Sequence, residues 1–205
     1  MITTPELFAY KIDPELWSKK MIAPGTRDKQ WDLVVENIGP EIYTFPLFTK
    51  EFCDMVIEYA ESTGKWTKAR HKFYPTTDIL LEDIQLKEMY EYALKNYAHP
   101  IARHIWKLEG TSWNKNITSE DFIARYIASE QAALDIHQDH ADYTFTVGLN
   151  ADYEGGGTWF PRQQVLANPK EGYCSLFPSV THRHGGRPTT KGKRYIIVSF
   201  VRKGE

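Results

Sequence analysis

The residue types with most chemical potential crowd into the stretch from His137 to Arg194. His137-Gln-Asp139 places an imidazole and a carboxylate two positions apart. In an extended strand residues i and i+2 share a face, so both can aim at one point. If His184 supplies a second imidazole, two nitrogens and one oxygen lie on one side of an ion and three positions stay open. That facial arrangement suits a non-haem Fe(II) centre that binds dioxygen. Arg194 follows in the run Lys193 to Phe200. A guanidinium in a strand interior is costly unless it meets an anion, and a carboxylate matches its fork. Metal and arginine together imply a dicarboxylate cosubstrate that chelates the metal at one end and meets the arginine at the other.

Two His-x-Asp pairs follow each other, since His140-Ala-Asp142 comes directly after His137-Gln-Asp139. Alternation chooses between them. The odd positions read His137, Asp139, Ala141, Tyr143, Phe145, Val147, Leu149; the even ones read Gln138, His140, Asp142, Thr144, Thr146, Gly148, Asn150. The odd set turns apolar after its first two members and is expected to face the core. That points His137 and Asp139 inward and His140 and Asp142 to solvent. The inference needs an unbroken strand, and a bulge between Asp139 and Tyr143 would break the parity. His182 and His184 pose the same question, because they share a face wherever Thr181 to His184 is extended. A lone His-x-Asp is usually an ordinary surface or core pair, so the weight rests on the whole constellation with Arg194.

The rest of the chain must position these residues. With 41% hydrophobic and 14% aromatic residues, 205 residues can bury a full core as one soluble unit. The net charge of −2 comes from scattered charges of both signs, which argues against nucleic acid as a partner. No stretch has the apolar length of a membrane span. The N-terminal MITTPELFAYKIDPELW carries charges where a secretion signal needs an apolar core, so no signal peptide is expected. Cys53 and Cys174 are expected as two free thiols.

Residues 1–40, with Trp17 and Trp31, read as an irregular arm of short helical turns. Glu41 to Phe48 is a short aromatic strand held to an edge or ended by Pro46. Thr49 caps a helix whose Phe52, Val56, Tyr59 and Ala60 share a face before Gly64 stops it. A second helical pattern runs from Leu86 to Tyr97; Pro100 should kink or break it before Ile101, Ile105 and Leu108 resume, and Gly110 ends it. Asn116-Ile-Thr118 matches a glycosylation sequon but is frequent by chance. From Asp121 onward the chain turns to strands: Phe122 to Ala128, Tyr143 to Leu149, Thr158 to Phe160, Tyr173 to Phe177 and Arg194 to Val201. The expected class is α+β, a double-stranded β-helix (jelly roll) with helices packed on one sheet.

Seven stretches then make a resemblance specific. FPLFTKEFCD (Phe45 to Asp54), YPTTDI (Tyr74 to Ile79), Arg125-Tyr126, HQD (His137 to Asp139), DYEGGG (Asp152 to Gly157), THRHGG (Thr181 to Gly186) and KGKRYIIVSF (Lys191 to Phe200) together resemble the C-terminal catalytic domain of the procollagen lysyl hydroxylases. The resemblance implies an Fe(II)/2-oxoglutarate dioxygenase domain over residues 41–205, after an N-terminal arm at 1–40. It implies iron ligands at His137, Asp139 and His184, preferring His184 over His182, and a 2-oxoglutarate arginine at Arg194. Tyr126, on the strand face of Phe122 and Ala124, is expected to reach 2-oxoglutarate.

The resemblance also implies O2 as cosubstrate, ascorbate (vitamin C), and peptidyl lysine in collagen-like sequences as substrate, hydroxylated at C5 with release of succinate and CO2. Asp142, Asp152 and Glu154 near the mouth are carboxylates that could attract the lysine ammonium, although a solvated loop charge is their ordinary role. A homodimer is expected, with Val165 and Leu166 as an exposed apolar set. Cellular members of the family occupy the endoplasmic reticulum lumen; a viral one would act in the host cell or virion. This chain departs from the family at Gln138 and Gly185, where a histidine and an acid are usual. It also departs at Thr158, where a cysteine is usual, and in lacking the disulfide partner of Cys53. These departures would suit a divergent member such as those of giant viruses. A prolyl or other 2-oxoglutarate-dependent hydroxylase would share fold and triad. A zinc hydrolase would have no use for Arg194, and a non-catalytic jelly-roll binding module would not need every ligand in place.

Overall fold

A computed structural model describes residues 5–70, 74–108 and 117–203. The helix stop at Gly110 and the sequon at Asn116 lie outside the described residues. The strands are β1 (Glu36–Gly39), β2 (Ile42–Pro46), β3 (Thr77–Leu80), β4 (Ile117–Ile127), β5 (Leu134–His137), β6 (Tyr143–Gly148) and β7 (Glu154–Gly155). They continue with β8 (Thr158–Phe160), β9 (Val165–Ala167), β10 (Tyr173–Pro178), β11 (His184–Gly186), β12 (Thr189–Lys191) and β13 (Lys193–Lys203). Seven form an antiparallel sheet in the order β1-β2-β10-β6-β13-β4-β3; four form a second, β5-β11-β8-β9; and β12 pairs with β7. Two antiparallel sheets facing each other, with helices against the larger one alone, make the α+β jelly roll expected from the sequence.

The larger sheet works because its strands alternate. One face of β6, β10 and β13 carries Tyr143, Phe145, Val147, Cys174, Leu176, Tyr195 and Ile197, all buried in one cluster with the helices. The helix Lys50–Thr63 supplies Phe52, Val56 and Ala60 to it. Thr49 caps this helix by accepting from the Phe52 N–H, and Gly64 ends it at φ 63°, a left-handed conformation that favours glycine. The short helices before β1 add Leu7, Trp17 and Met21 to the same cluster, with the Trp17 indole N–H donating to the Leu7 carbonyl at 3.0 Å. Cys53 and Cys174 are buried free thiols.

Of the kink or break expected at Pro100, the break does not occur. The helix is neither broken nor restarted: Lys87–Ala93 runs through a π-helical turn, Leu94–Ala98, into His99–Trp106. Proline lacks the N–H that an α-turn would use, and its ring crowds the carbonyl four residues back; widening that turn relieves both.

Candidate metal centre

The smaller sheet brings the two histidines together. His137 ends β5 and His184 begins β11, and the two are direct partners in the antiparallel register. Asp139 sits just beyond the end of β5. One ligand atom from each of His137, Asp139 and His184 can be chosen so that all three lie within 4.8 Å of one another, and all three residues are buried. The His137 Nδ1 lies 2.8 Å from the Asp135 carbonyl and the His184 Nδ1 lies 2.9 Å from the His182 carbonyl. Each Nδ1 must carry its proton to make that bond, which leaves each Nε2 as a bare lone pair. Those nitrogens face Asp139 Oδ1 at 3.2 Å and Oδ2 at 3.6 Å. Three acceptors converge, and Asp139 Oδ1 has no hydrogen-bond partner. A divalent cation satisfies such a set. The Thr144 hydroxyl donates to Asp139 Oδ2 at 2.6 Å and fixes the carboxylate.

Burial opposes charge on all three groups, with different results. It lowers His184, and the nearby Asp139 carboxylate does not make up the loss. Burial also works to lower His137, but the Asp139 carboxylate and the Asp135 carbonyl outweigh it and leave His137 raised. Burial would raise Asp139, yet His184, His137 and the Thr144 hydroxyl hold it below the usual carboxylate range. An anionic Asp139 and a neutral His184 match the charge state a metal requires, and a cation bound there would displace the proton that Asp139 favours on His137.

Arg194 lies on the cleft face of β13. It is 1% exposed, its guanidinium is over the Tyr126 ring at 5.5 Å, and Nε and Nη2 have no hydrogen-bond partner. Arg194 and Tyr126 are direct partners between β13 and β4, and Phe122, Ala124, Tyr126 and Ile196 form a small cluster beside them. The middle glycine of the triplet makes this possible: a Cβ on Gly156, at φ 74°, would lie 2.9 Å from Arg194 Cδ. A buried guanidinium with unpaired N–H groups is costly unless an anion completes it. The residues present therefore fit both an Fe(II) ion and the far carboxylate of a chelating cosubstrate.

Triad, Arg194 and Tyr126 line one cleft of about 810 Å³. At its mouth the Tyr74 ring lies 5.1 Å from that of His137. Further along, Arg70 pairs with Asp78 at 2.6 Å and Glu120 at 2.5 Å. None of the three mouth acids expected from the sequence lines the cleft. Asp142 Oδ2 accepts from the Lys203 N–H, Asp152 accepts from the Asn150 amide, and Glu154 pairs with Lys191. His140 is exposed. Both ring nitrogens of His182 are engaged, near the Thr181 hydroxyl and the Pro40 carbonyl at 2.9 Å each, so it has none to offer a metal.

The register argument picked the inward pair through a premise that does not hold. His137 and Asp139 belong to the smaller sheet's side, whereas Tyr143, Phe145 and Val147 face the helices on the far side of the larger one. The chain crosses between sheets at residues 138–142, and the residues of β6 that share the cleft with Asp139 are the even ones, Thr144 and Thr146. Thr144 therefore faces the cleft although it belongs to the even set. Its bond to Asp139 joins two sheets, and no local pattern announces it.

The OGFOD2-like domain family matches residues 4–111. The rat multifunctional procollagen lysine hydroxylase and glycosyltransferase LH3 is 34% identical over 96% of this chain, which covers 28% of that protein. Chicken procollagen-lysine,2-oxoglutarate 5-dioxygenase 1 is 34% identical over 92% of this chain and 27% of its own length. The chain thus spans little more than a quarter of these relatives. Among solved structures, a Pseudomonas putida prolyl-4-hydroxylase superposes with TM-score 0.61 at 11% identity, covering 80% of this chain and 94% of that one. The viral collagen prolyl hydroxylase of Paramecium bursaria Chlorella virus-1 does so with TM-score 0.54 at 20% identity, covering 80% and 97%.

Proposed function

This chain belongs to the OGFOD2-like domain family, matched over residues 4–111, and from that premise and its likeness to procollagen lysyl hydroxylases over nearly its whole length we propose that it is an Fe(II)- and 2-oxoglutarate-dependent dioxygenase that hydroxylates peptidyl lysine at C5 in collagen-like sequences. The observation that carries the reading is the joining, in one cleft, of a two-imidazole, one-carboxylate triad to a buried guanidinium with unpaired N–H groups. Fe(II) held there would supply O2 activation coupled to conversion of 2-oxoglutarate into succinate and CO2. His137 and His184 offer Nε2, and Asp139 offers a carboxylate oxygen that Thr144 steadies. Arg194 takes the far carboxylate of 2-oxoglutarate, with Tyr126 beside it. The two sheets exclude water from the cosubstrate between them.

Residues 41–205 form the catalytic domain in this reading and 1–40 an N-terminal arm, whose β1 joins the edge of the larger sheet beside β2. Lysine as the target follows the names of the relatives. Ascorbate would serve as reductant. A homodimer is part of the proposal: Leu166 is 50% exposed, whereas Val165 packs within its own chain against Ile42, Phe160 and Phe177, so Leu166 alone of that pair is free to meet a second copy. Incubation with Fe(II), 2-oxoglutarate and defined collagen-like peptides, followed by mass spectrometry, tests the assignment. A 16 Da gain on lysine of Lys-Gly peptides is expected from insertion of one oxygen atom. The same gain on proline alone would replace lysyl by prolyl hydroxylation, and turnover without 2-oxoglutarate would defeat both.

A further inference from the structure

We propose that Glu120 is the specificity-determining residue that accepts the ammonium of the target lysine; this rests on the functional reading above. A lysine side chain in the cleft needs an apolar bed for its methylenes and an acceptor at its end. The larger sheet supplies both in one row. Thr144 on β6, whose hydroxyl holds metal-site Asp139, is the direct partner of Phe200 on β13, and Phe200 is the direct partner of Glu120 on β4. Direct partners in an antiparallel sheet point to the same face, and all three residues line the cleft. Two strand spacings, about 10 Å, separate Thr144 from Glu120. Between them the Phe200 ring is partly buried and set edge-on against that of Phe122 at 5.3 Å. The carbon to be hydroxylated must stand at the metal, and the ammonium lies one carbon beyond it. A lysine whose end is laid along this row passes over Phe200 and meets Glu120.

The other acids of the cleft are committed elsewhere. Among the described residues they are Glu82, Asp121 and Asp139. Glu82 pairs with Lys87 at 3.3 Å. Asp121, next to Glu120 on the strand, points to the opposite face and accepts from the Ser119 hydroxyl. Asp139 serves the metal. Glu120 is met by Arg70 alone, through Oε1; a carboxylate accepts at about four lone-pair sites, so Oε2 keeps its capacity for an ammonium. Arg70 fixes this carboxylate without cancelling it. Its guanidinium is shared with the fully buried Asp78, which also accepts from the Thr76 hydroxyl, so one positive charge stands against two negative ones. The same guanidinium lies over the Phe122 ring at 4.9 Å, which holds it in place. Arg202, a further cation of the cleft, is turned away and donates to the His140 carbonyl at 2.7 Å. The row therefore ends in a net negative charge beside an apolar ring, the complement of a lysine tip.

The test is equilibrium binding of collagen-like peptides, by calorimetry, to the protein loaded with Mn(II) and 2-oxoglutarate. A Lys-Gly peptide is compared with its norleucine-Gly twin, which keeps the carbon chain and lacks the ammonium. Glu120→Gln keeps an oxygen for Arg70 and removes the charge. It is expected to weaken the lysine peptide about tenfold, as loss of a hydrogen bond between charged groups does, and to change the norleucine peptide less than twofold. Equal losses on both peptides, or a preference for lysine over norleucine that survives the substitution, would overturn the assignment. So would an unsubstituted protein that does not prefer lysine. If Glu120→Gln does not fold, Glu120→Leu replaces it, with the same loss expected on the lysine peptide and none on the norleucine one; any other outcome overturns the assignment. Hydroxylation of proline alone in the Fe(II) assay would defeat the lysyl reading itself, whereas lysine hydroxylation with a preference that Glu120→Gln leaves intact would defeat only Glu120.

Discussion

Two arginines on neighbouring strands separate the two faces of the larger sheet. Arg125 on β4 turns to the helix side, where it pairs with Glu61 at 3.0 Å and lies over the Trp66 ring at 4.4 Å. Arg194 on β13, beside the partner of Arg125 in the register, turns to the cleft and lies over the Tyr126 ring. Among the described residues no carboxylate pairs with it, and two of its nitrogens are orphaned. Arg125 has a carboxylate partner and leaves only Nε buried without a hydrogen bond, whereas Arg194 has no carboxylate and leaves both Nε and Nη2. Asp121, on the Arg125 side, is also buried with an unpaired oxygen, and it adapts differently: burial pushes its pKa up to about 6. A carboxyl can take a proton where a partner is lacking. An arginine cannot, so its orphaned N–H groups point to an anion.

Substitutions on the two faces should separate along that line. The largest effect is expected at the metal. Asp139→Ala should remove Fe(II)-dependent turnover, by more than the roughly 10–100-fold that loss of an outer hydrogen-bond partner costs, while the metal-free protein melts within a few degrees of the original. Thr144→Val, which removes such a partner, should fall in that 10–100-fold range for metal affinity. His140→Ala should be nearly silent, and a reversal of the Asp139 and His140 effects would place the site on the other pair. Next in size is Phe145→Ala on the helix side, expected to cost about 3–5 kcal/mol in denaturant unfolding; a loss under 1 kcal/mol would mean this face is not the core.

The arginines give the sharper contrast. Arg194→Met should leave the metal-free protein as stable or more stable, because a buried unpaired charge is removed. Its 2-oxoglutarate requirement should rise roughly 100-fold, about the worth of two charged hydrogen bonds, with the Fe(II) requirement little changed. Arg125→Met should do the opposite, costing roughly 1 kcal/mol of stability for its partly buried pair and leaving the 2-oxoglutarate requirement alone. Equal effects of the two on both measurements would erase the distinction between the faces.

A further effect, read on stability alone, is the pH dependence that comes from Asp121. Its folded-state pKa is raised from 3.8 to about 6, so the folded form keeps its proton through that window. The associated stability is full below about pH 4 and is lost as pH rises to 6, the reverse of an ion-paired carboxylate. Asp121→Asn should flatten that slope and gain roughly 3 kcal/mol near neutral pH. Unfolding curves between pH 4 and 7 check it, and an unchanged slope would contradict a buried acid at this position.

Much of this was legible from residue types. Thr49, the Phe52-Val56-Tyr59-Ala60 stripe and Gly64 mark a helix because caps and periodicity are local. Thr158–Phe160 and the strand around Arg194 were readable from β-branched and aromatic runs between glycines. Pro100 left kink and break both open, because whether a proline breaks a helix or widens a turn depends on what packs around it. The cleft side was harder. Parity through His137 and Val147 assumed one strand where the chain changes sheets, and Thr144, Tyr74 and Arg70 reach the cleft by contacts between elements distant in sequence. β5, β11 and β12 have no more than four residues each, too short for periodicity to mark.

The central claim is that the orphaned groups on the cleft side belong to one metal and one dicarboxylate. Anaerobic calorimetric titration of 2-oxoglutarate into the protein, with and without Fe(II), tests it most directly. One-to-one binding that requires Fe(II), disappears in Asp139→Ala and weakens in Arg194→Met is the expected result. Binding that ignores the metal and both substitutions would contradict it.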